Sequence, residues 1–327
     1  MPRKISAFLI LFFFFVPAVY AGNGGLPPHL KDFWAGRLSE MRGVNAGFKV
    51  SDAVTKGGIV SSDVWFVGYG GVNIHGYLAR PSGARPSGVR PSGIRAVKKL
   101  PAVLLLHGYG DYGRHSWAER YARMGFMAFA IDFRGHGKSG AYPAGEEGLI
   151  TAGIGNPSDY FIVGCILDAI RAMDFMETLP GVDRIYLSGS SMGGGIAMIV
   201  SAIDGRVRAI SAGVPFLNNI AEGISHAGGG PYIGLRKYMA RHRNEPRSSS
   251  AMATLGFVDV YNYAPYIKKP VNIGIGGADA ICPKKGIESV AGRLPEGTKK
   301  RIYEVENAGH AVLKGWHDQN NKWFSEN

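Results

Sequence analysis

The stretch Arg184-Ile185-Tyr186-Leu187-Ser188-Gly189-Ser190-Ser191-Met192-Gly193-Gly194 decides how this chain is read. Arg184 to Leu187 reads as a short strand, and Gly193 to Ile203 as a helix. Between them Gly189 and Gly193 bracket Ser191 in the pattern G-x-S-x-G. A strand that turns straight into a helix needs small residues on both sides of the serine. The hydroxyl then stands exposed at the sheet edge, above the positive end of the helix. The bare pattern carries little weight in a chain with 48 glycines. The strand–turn–helix setting makes Ser191 the candidate nucleophile. Ser190 is the competitor, but it occupies the x before the nucleophile.

A serine hydroxyl is a poor nucleophile at neutral pH, so it needs a base, and the base needs an orienting group. With this motif the chain order is Ser, then acid, then His. The histidines after Ser191 are His226, His242, His310 and His317. His310 follows the expected strand 300–305 in the loop Asn307-Ala308-Gly309-His310, where a last strand would deliver a base. His317 falls in an expected helix over 311–324 and reads as a surface or packing residue. His226 and His242 fall in an irregular region, lining a pocket or solvated. Asp279 follows the expected strand 271–275 through Gly276-Gly277-Ala278 and is the candidate acid. Asp259 is its rival, with no clear buried strand leading to it.

Acyl transfer develops an oxyanion, which preorganised N–H donors must meet. Met192, the residue after the nucleophile, offers one backbone N–H. The turn His107-Gly108-Tyr109-Gly110, after the apolar run 102–106, offers the other at Tyr109. His107 reads as a shaper of this turn. Asp132-Phe133-Arg134-Gly135-His136 follows the next strand, 127–131. Arg134 is expected to organise that loop by bonding to backbone or to Asp132.

Working outward, 64–67 and 73–78 read as a hairpin, and 117–124, 160–178 and 285–294 as helices. Alternating strands and helices imply an α/β fold: a mainly parallel central sheet with helices on both faces. Residues 216–265 break the alternation and read as a helical insert or cap near the site. One domain over 22–327 accommodates all of this.

With these residues placed, the chain resembles the acetyl xylan esterase / cephalosporin-C deacetylase family (carbohydrate esterase family 7) of the α/β-hydrolases. The likeness runs over about 60–315. It takes in Gly68-Tyr69, Gly76-Tyr77-Leu78, His107-Gly108-Tyr109, Gly155-Asn156-Pro157 and Asp168-Ala169-Ile170-Arg171-Ala172. Further on come Val214-Pro215-Phe216-Leu217, Gly230-Pro231-Tyr232 and Ile281-Cys282-Pro283. It implies a Ser191–His310–Asp279 triad, an oxyanion hole from the Tyr109 and Met192 N–H groups, and a small ester or acetylated oligosaccharide as substrate. It also implies homo-oligomeric assembly, and neither metal nor organic cofactor. Three positions depart from the family's pattern: His136 stands where Gln is usual, Met192 where Gln follows the nucleophile, and Ala311 where Glu follows the histidine. The alternatives are a peptidase or longer-chain esterase on the same fold, or a non-catalytic carbohydrate- or surface-binding protein.

Composition bounds the rest. The chain has 327 residues, 46% of them hydrophobic and 19% charged, which fits a packed globular protein and excludes a disordered one. Its net charge is +12, and half of it sits in Arg80, Arg85, Arg90, Arg95, Lys98 and Lys99. These lie in a triplicated Arg-Pro-Ser-Gly repeat spanning 80–99, where proline and glycine block both helix and strand. It reads as an exposed loop. No aromatic residue interleaves the arginines, which argues against nucleic acid as a partner. Cys165 and Cys282 are too few for a disulfide scaffold and lack metal-ligand spacing; whether they pair is open.

Arg3 and Lys4 precede the apolar run from Ile5 to Val16, and Val19 and Ala21 stand at −3 and −1 of a cut after Ala21. This is the pattern of a secretory signal peptide over 1–21, too short for a membrane span. A secreted or periplasmic protein without stable membrane insertion is therefore expected. Mass spectrometry of protein exported by a cell with a general secretory pathway should find Gly22 at the N-terminus; a chain retained with Met1 would contradict this.

Overall fold

A computed structural model describes residues 25–83 and 99–327. The expected signal peptide and most of the basic repeat lie outside the described residues.

In chain order the elements are α1 (Pro28–Arg42), β1 (Lys49–Val50), β2 (Val54–Lys56), β3 (Ile59–Val67), β4 (Asn73–Pro81), β5 (Leu100–Leu106), α2 (His115–Arg123), β6 (Met127–Asp132) and α3 (Phe161–Thr178). They continue with β7 (Val182–Ser190), α4 (Met192–Ile203), β8 (Val207–Gly213), α5 (Ile220–His226), α6 (Pro231–Arg241), α7 (Pro246–Gly256) and α8 (Val260–Tyr263). The chain ends with β9 (Val271–Gly276), α9 (Lys284–Ala291), β10 (Lys300–Val305) and α10 (Trp316–Ser325).

The strands form one sheet in the order β1-β3-β4-β6-β5-β7-β8-β9-β10, with β2 also on β3. From β6 to β10 every pairing is parallel; β1 to β4 add an antiparallel wing. This is the α/β-hydrolase architecture. The unbroken apolar runs of β5 and β6 follow from burial on both faces. In β5, Leu104 and Leu106 join the core containing α3 and α4, while Val103 and Leu105 join Tyr121, Phe126, Trp323 and Phe324 on the other side. Alternate side chains of one strand thus feed two cores. No described helix is long and apolar enough to cross a membrane.

Two differences from the sequence reading have physical causes. Strand β8 was not anticipated, because Arg208 and the buried Ser211 interrupt its apolar run. The last helix starts at Trp316, not 311: Gly315 takes φ +76°, a left-handed conformation that breaks the helix before it. The insert 216–265 is largely helical, as expected, and supplies α5 to α8.

Arg134 organises its loop through a different carboxylate from the one expected. Its Nε and Nη2 donate to the two oxygens of Asp168, each at 2.8 Å, and Nη2 also donates to the Tyr69 carbonyl at 2.8 Å. The Tyr69 N–H donates to the same carboxylate at 3.1 Å. Both charged side chains are buried, and a Cβ on Gly164 would overlap the guanidinium. Asp132 is occupied elsewhere: it accepts from the Gly113 N–H at 2.6 Å and the Lys138 N–H at 2.9 Å, and bonds His75 at 2.8 Å. Removing one partner of a buried, bidentate ion pair strands the other charge. Asp168→Ala should therefore lose about 3–5 kcal/mol of stability, read by denaturant unfolding; an unchanged midpoint would contradict the pairing.

Candidate active site

The strand–turn–helix reading of Ser191 is borne out at the backbone. Ser191 has φ 52° and ψ −117°, between the end of β7 and the start of α4. The left-handed φ is unusual for a residue with a side chain and is held by its surroundings. The Ser191 N–H donates to the Gly213 carbonyl at 2.9 Å, and the Phe216 N–H to the Ser191 carbonyl at 2.9 Å. The two motif glycines are needed for contact: a Cβ on Gly189 would overlap the Gly193 carbonyl, and one on Gly193 would overlap the Leu106 carbonyl. The spacing G-x-S-x-G records how closely β5, β7 and α4 approach.

The structure brings Ser191, Asp279 and His310 together. His310 Nε2 lies 2.9 Å from Ser191 Oγ, and His310 Nδ1 lies 2.8 Å from Asp279 Oδ2. The other Asp279 oxygen accepts from the Ile281 and Cys282 N–H groups, both at 2.8 Å, which fixes the carboxylate. The loops after β9 and β10 are laced together. Gly277 N–H donates to the Val305 carbonyl and Ala278 N–H to the Ala308 carbonyl, both at 3.0 Å. Cβ atoms on Gly276 and Gly277 would run into the backbone of 306–309. The glycine pair before Asp279 thus lets acid and base loops touch. The Asp279 side chain is fully buried, whereas His310 keeps 18% of its side chain exposed.

The expected oxyanion donors border this line. A Cβ on Gly108 would sit 3.3 Å from Ser191 Cβ and 3.9 Å from its Oγ, so the turn 107–110 abuts the nucleophile. Neither the Tyr109 N–H nor the Met192 N–H donates to a protein acceptor among the described residues. Met192 is the first residue of α4, where N–H groups lack intrahelical partners. Its side chain points into the core, so replacing the family's Gln leaves that N–H in place. His107 shapes the turn, as expected. Its Nδ1 bonds the Gly108 carbonyl at 2.7 Å, and its Nε2 accepts the Phe133 N–H at 2.9 Å. Burial pulls its pKa down to about 4, so the ring is neutral and structural.

The rivals lie elsewhere. Asp259 caps α8, accepting from Tyr261 N–H at 2.9 Å, and also takes the Ile220 N–H at 2.8 Å; burial raises its pKa to about 6. His226 is exposed on α5. His242 is buried between Glu146 and Glu245, at 2.9 and 2.8 Å, not solvated. His317 packs against Trp117 and Tyr121. Cys165 and Cys282 are both buried and free.

Among the described residues, one group of side chains has ligand spacing: atoms of Asp279, Cys282 and His310 lie within 4.8 Å of one another. Asp279 and His310 are already bonded to each other there. Burial pushes the Cys282 thiol well above its ordinary pKa, which makes it a poor metal ligand at neutral pH. Sequence reasoning missed the N–H groups that hold Asp279. It also left His136, which bonds the oxyanion loop, as an unexplained departure; its place in Arg134-Gly135-His136 was the available signal.

A parallel sheet carrying such a turn after β7, with an acid and a histidine after β9 and β10, places the chain among the α/β-hydrolases. Within that class the chain belongs to the acetyl xylan esterase (AXE1) family, whose model matches residues 18–327. It is 26% identical over 226 residues to acetyl esterase Axe7A of Xylanibacter ruminicola, a match covering 64% of this chain and 47% of that protein. The chain therefore spans about half of that relative's length. An acetyl xylan esterase from Paenibacillus sp. R4 superposes with TM-score 0.80 at 27% identity, covering 92% of this chain and 95% of its own. Acetyl xylan esterase 1 from Thermoanaerobacterium sp. JW/SL YS485 shares the fold, with TM-score 0.78 at 24% identity over 94% of this chain and 96% of its own.

Gly193→Ala should force β5 and α4 apart and cut ester turnover on the order of 10²-fold by displacing the oxyanion donors. Gly205→Ala, where a Cβ meets nothing within 4 Å, is the control. Equal activity of the two variants would contradict the packing account.

Proposed function

We propose that this chain is an exported serine esterase that removes acetyl groups from small esters or acetylated carbohydrates through an acyl-enzyme. The observation that carries the reading is the unbroken line from Asp279 through His310 to Ser191, with contacts of 2.8 and 2.9 Å. Asp279 accepts a hydrogen bond from the protonated Nδ1 of His310, which leaves Nε2 as the acceptor facing Ser191. Nε2 takes the hydroxyl proton as Oγ attacks the ester carbonyl. The developing oxyanion is met by the N–H groups of Tyr109 and Met192. The tetrahedral intermediate collapses, the alcohol leaves with the proton from Nε2, and an acyl-Ser191 ester remains. Water then attacks with Nε2 as base, releasing the carboxylic acid and restoring Ser191. Every step uses groups of this chain.

Acetyl as the acyl group is supported by the family and by its similarity to Axe7A and the Paenibacillus acetyl xylan esterase. An acetylated xylan oligomer is the carbohydrate these relatives suggest. The N-terminal segment supports work outside the cytoplasm, secreted or periplasmic, and the family resemblance supports a homo-oligomer.

On nitrophenyl esters the purified protein should prefer acetyl over octanoyl by kcat/KM and leave aminoacyl amides uncut. Ser191→Ala should lower turnover of the acetyl ester by about 10⁴-fold or more. Equal or better cleavage of the long chain would overturn the deacetylase assignment. Retained turnover in Ser191→Ala would overturn the triad itself.

A further inference from the structure

His136 lies one turn away from the triad and takes no part in the proton transfers above. Its Nε2 accepts the N–H of Gly110 at 2.9 Å, and its Nδ1 lies 3.0 Å from the carbonyl of Arg134. A carbonyl only accepts, so Nδ1 carries the proton and Nε2 is the bare acceptor. This is a neutral imidazole with a fixed tautomer. The ring is buried, with His107 at 5.1 Å, the Tyr109 ring edge-on at 5.7 Å and Phe161 at 6.0 Å.

The held N–H belongs to the residue after Tyr109. Gly110 has φ +75° and an exposed backbone, and Asp111 N–H closes the turn onto the Gly108 carbonyl at 3.2 Å. Two consecutive N–H groups thus leave this turn. The Gly110 N–H is tied down by His136, and the Tyr109 N–H is left without a protein acceptor. The Gly110 N–H lies in the Tyr109–Gly110 peptide plane, so tying it fixes one of the two planes that meet at the Tyr109 Cα; the other plane, which carries the Tyr109 N–H, is restrained by the Asp111-to-Gly108 bond that closes the turn. The Tyr109 side chain is anchored independently, since its hydroxyl accepts the Ile150 N–H at 3.2 Å.

From this we infer that His136 is a positioning residue for the proposed esterase reaction: by accepting the Gly110 N–H it fixes the turn so that the Tyr109 N–H points at the acyl oxygen. The role rests on the triad reading of Ser191. It is confined to the transition state, because the acyl oxygen takes its full charge only there. A Gln side-chain carbonyl at this position could accept the same N–H.

The role has a pH signature. Protonated His136 would present a donor to a donor, and the Gly110 bond would break. Burial holds the ring's pKa below the ordinary histidine value, against smaller upward pulls from the Arg134 carbonyl and the carboxylates of Asp132 and Asp111. His107 across the ring stack is itself neutral, and the Arg134 guanidinium is turned away onto Asp168. The active form of His136 therefore persists to lower pH than an exposed histidine would allow, then fails. Protonation of His136 should thus steepen the acid side of the activity profile.

The test compares wild type, His136→Gln, His136→Ala and Ser191→Ala on nitrophenyl acetate, with thermal midpoints for each. His136→Ala should lose kcat by about 10- to 100-fold, part of the effect of deleting a whole oxyanion donor, with KM changed little. His136→Gln should recover kcat to within about fivefold of wild type, about one net hydrogen bond. The acid limb of log kcat/KM should be steeper in wild type than in His136→Gln, whose side chain does not titrate. A kcat within threefold of wild type in His136→Ala, a folded His136→Gln no better than His136→Ala, or an acid limb no steeper in wild type than in His136→Gln would each overturn the inference. Activity surviving in Ser191→Ala would instead defeat the triad on which it rests.

Discussion

The site depends on one constraint: the backbone at Ser191 must turn from strand to helix within a single residue. A left-handed φ on a residue with a side chain costs of order 1–3 kcal/mol and persists only where the surroundings over-determine it. Here they do. The N–H and carbonyl of Ser191 are both bonded across to the strand end and loop following β8, and the Gly193 N–H donates to the His107 carbonyl at 3.0 Å. That last bond matters twice. It pins α4 against the end of β5, and it fixes the root of the turn that carries Tyr109. Ser191 and the 107–110 turn are thus parts of one hydrogen-bonded unit, set at the carboxyl ends of adjacent parallel strands where open α/β sheets gather their chemistry.

Around this unit, charge is placed for alignment. Asp279 is buried, yet every lone-pair direction seen to be used has a donor: two backbone N–H groups and the histidine. Arg134 and Asp168 form a second buried pair that ties the loop after β6 to α3 and to the turn at Tyr69. The same loop carries His136. A structural ion pair thus holds the loop from one side while a neutral imidazole holds the 107–110 turn from the other. Both side chains come from Arg134-Gly135-His136, and Gly135 at φ +74° gives the reversal that sends them in different directions.

Much of this was legible in the sequence, for identifiable reasons. Buried parallel strands announce themselves as apolar runs, so β5, β6 and β9 stood out. Asp279 and His310 were legible because each follows such a strand through a short glycine-bearing loop, in the order the motif demands. Partners separated by long chain distances were not legible. Asp168 lies in the middle of a helix buried almost all round, and nothing in its spacing to Arg134 reveals that they meet. Strand β8 was hidden by polar residues that serve the interior: Ser211 belongs to a buried cluster with Asn272 and Asn320. His242 illustrates the converse. Its neighbours in sequence suggest solvent, but Glu146 arrives from a distant loop to enclose it.

The central claim is that Ser191 alone is made reactive toward acyl compounds. Peptide mapping after treatment with a fluorophosphonate tests it most directly. The account predicts a single phosphonyl adduct on the peptide carrying Ser191, with loss of esterase activity in proportion to labelling. Full inactivation with Ser191 unmodified, or an unlabelled protein that still hydrolyses acetyl esters, would contradict it.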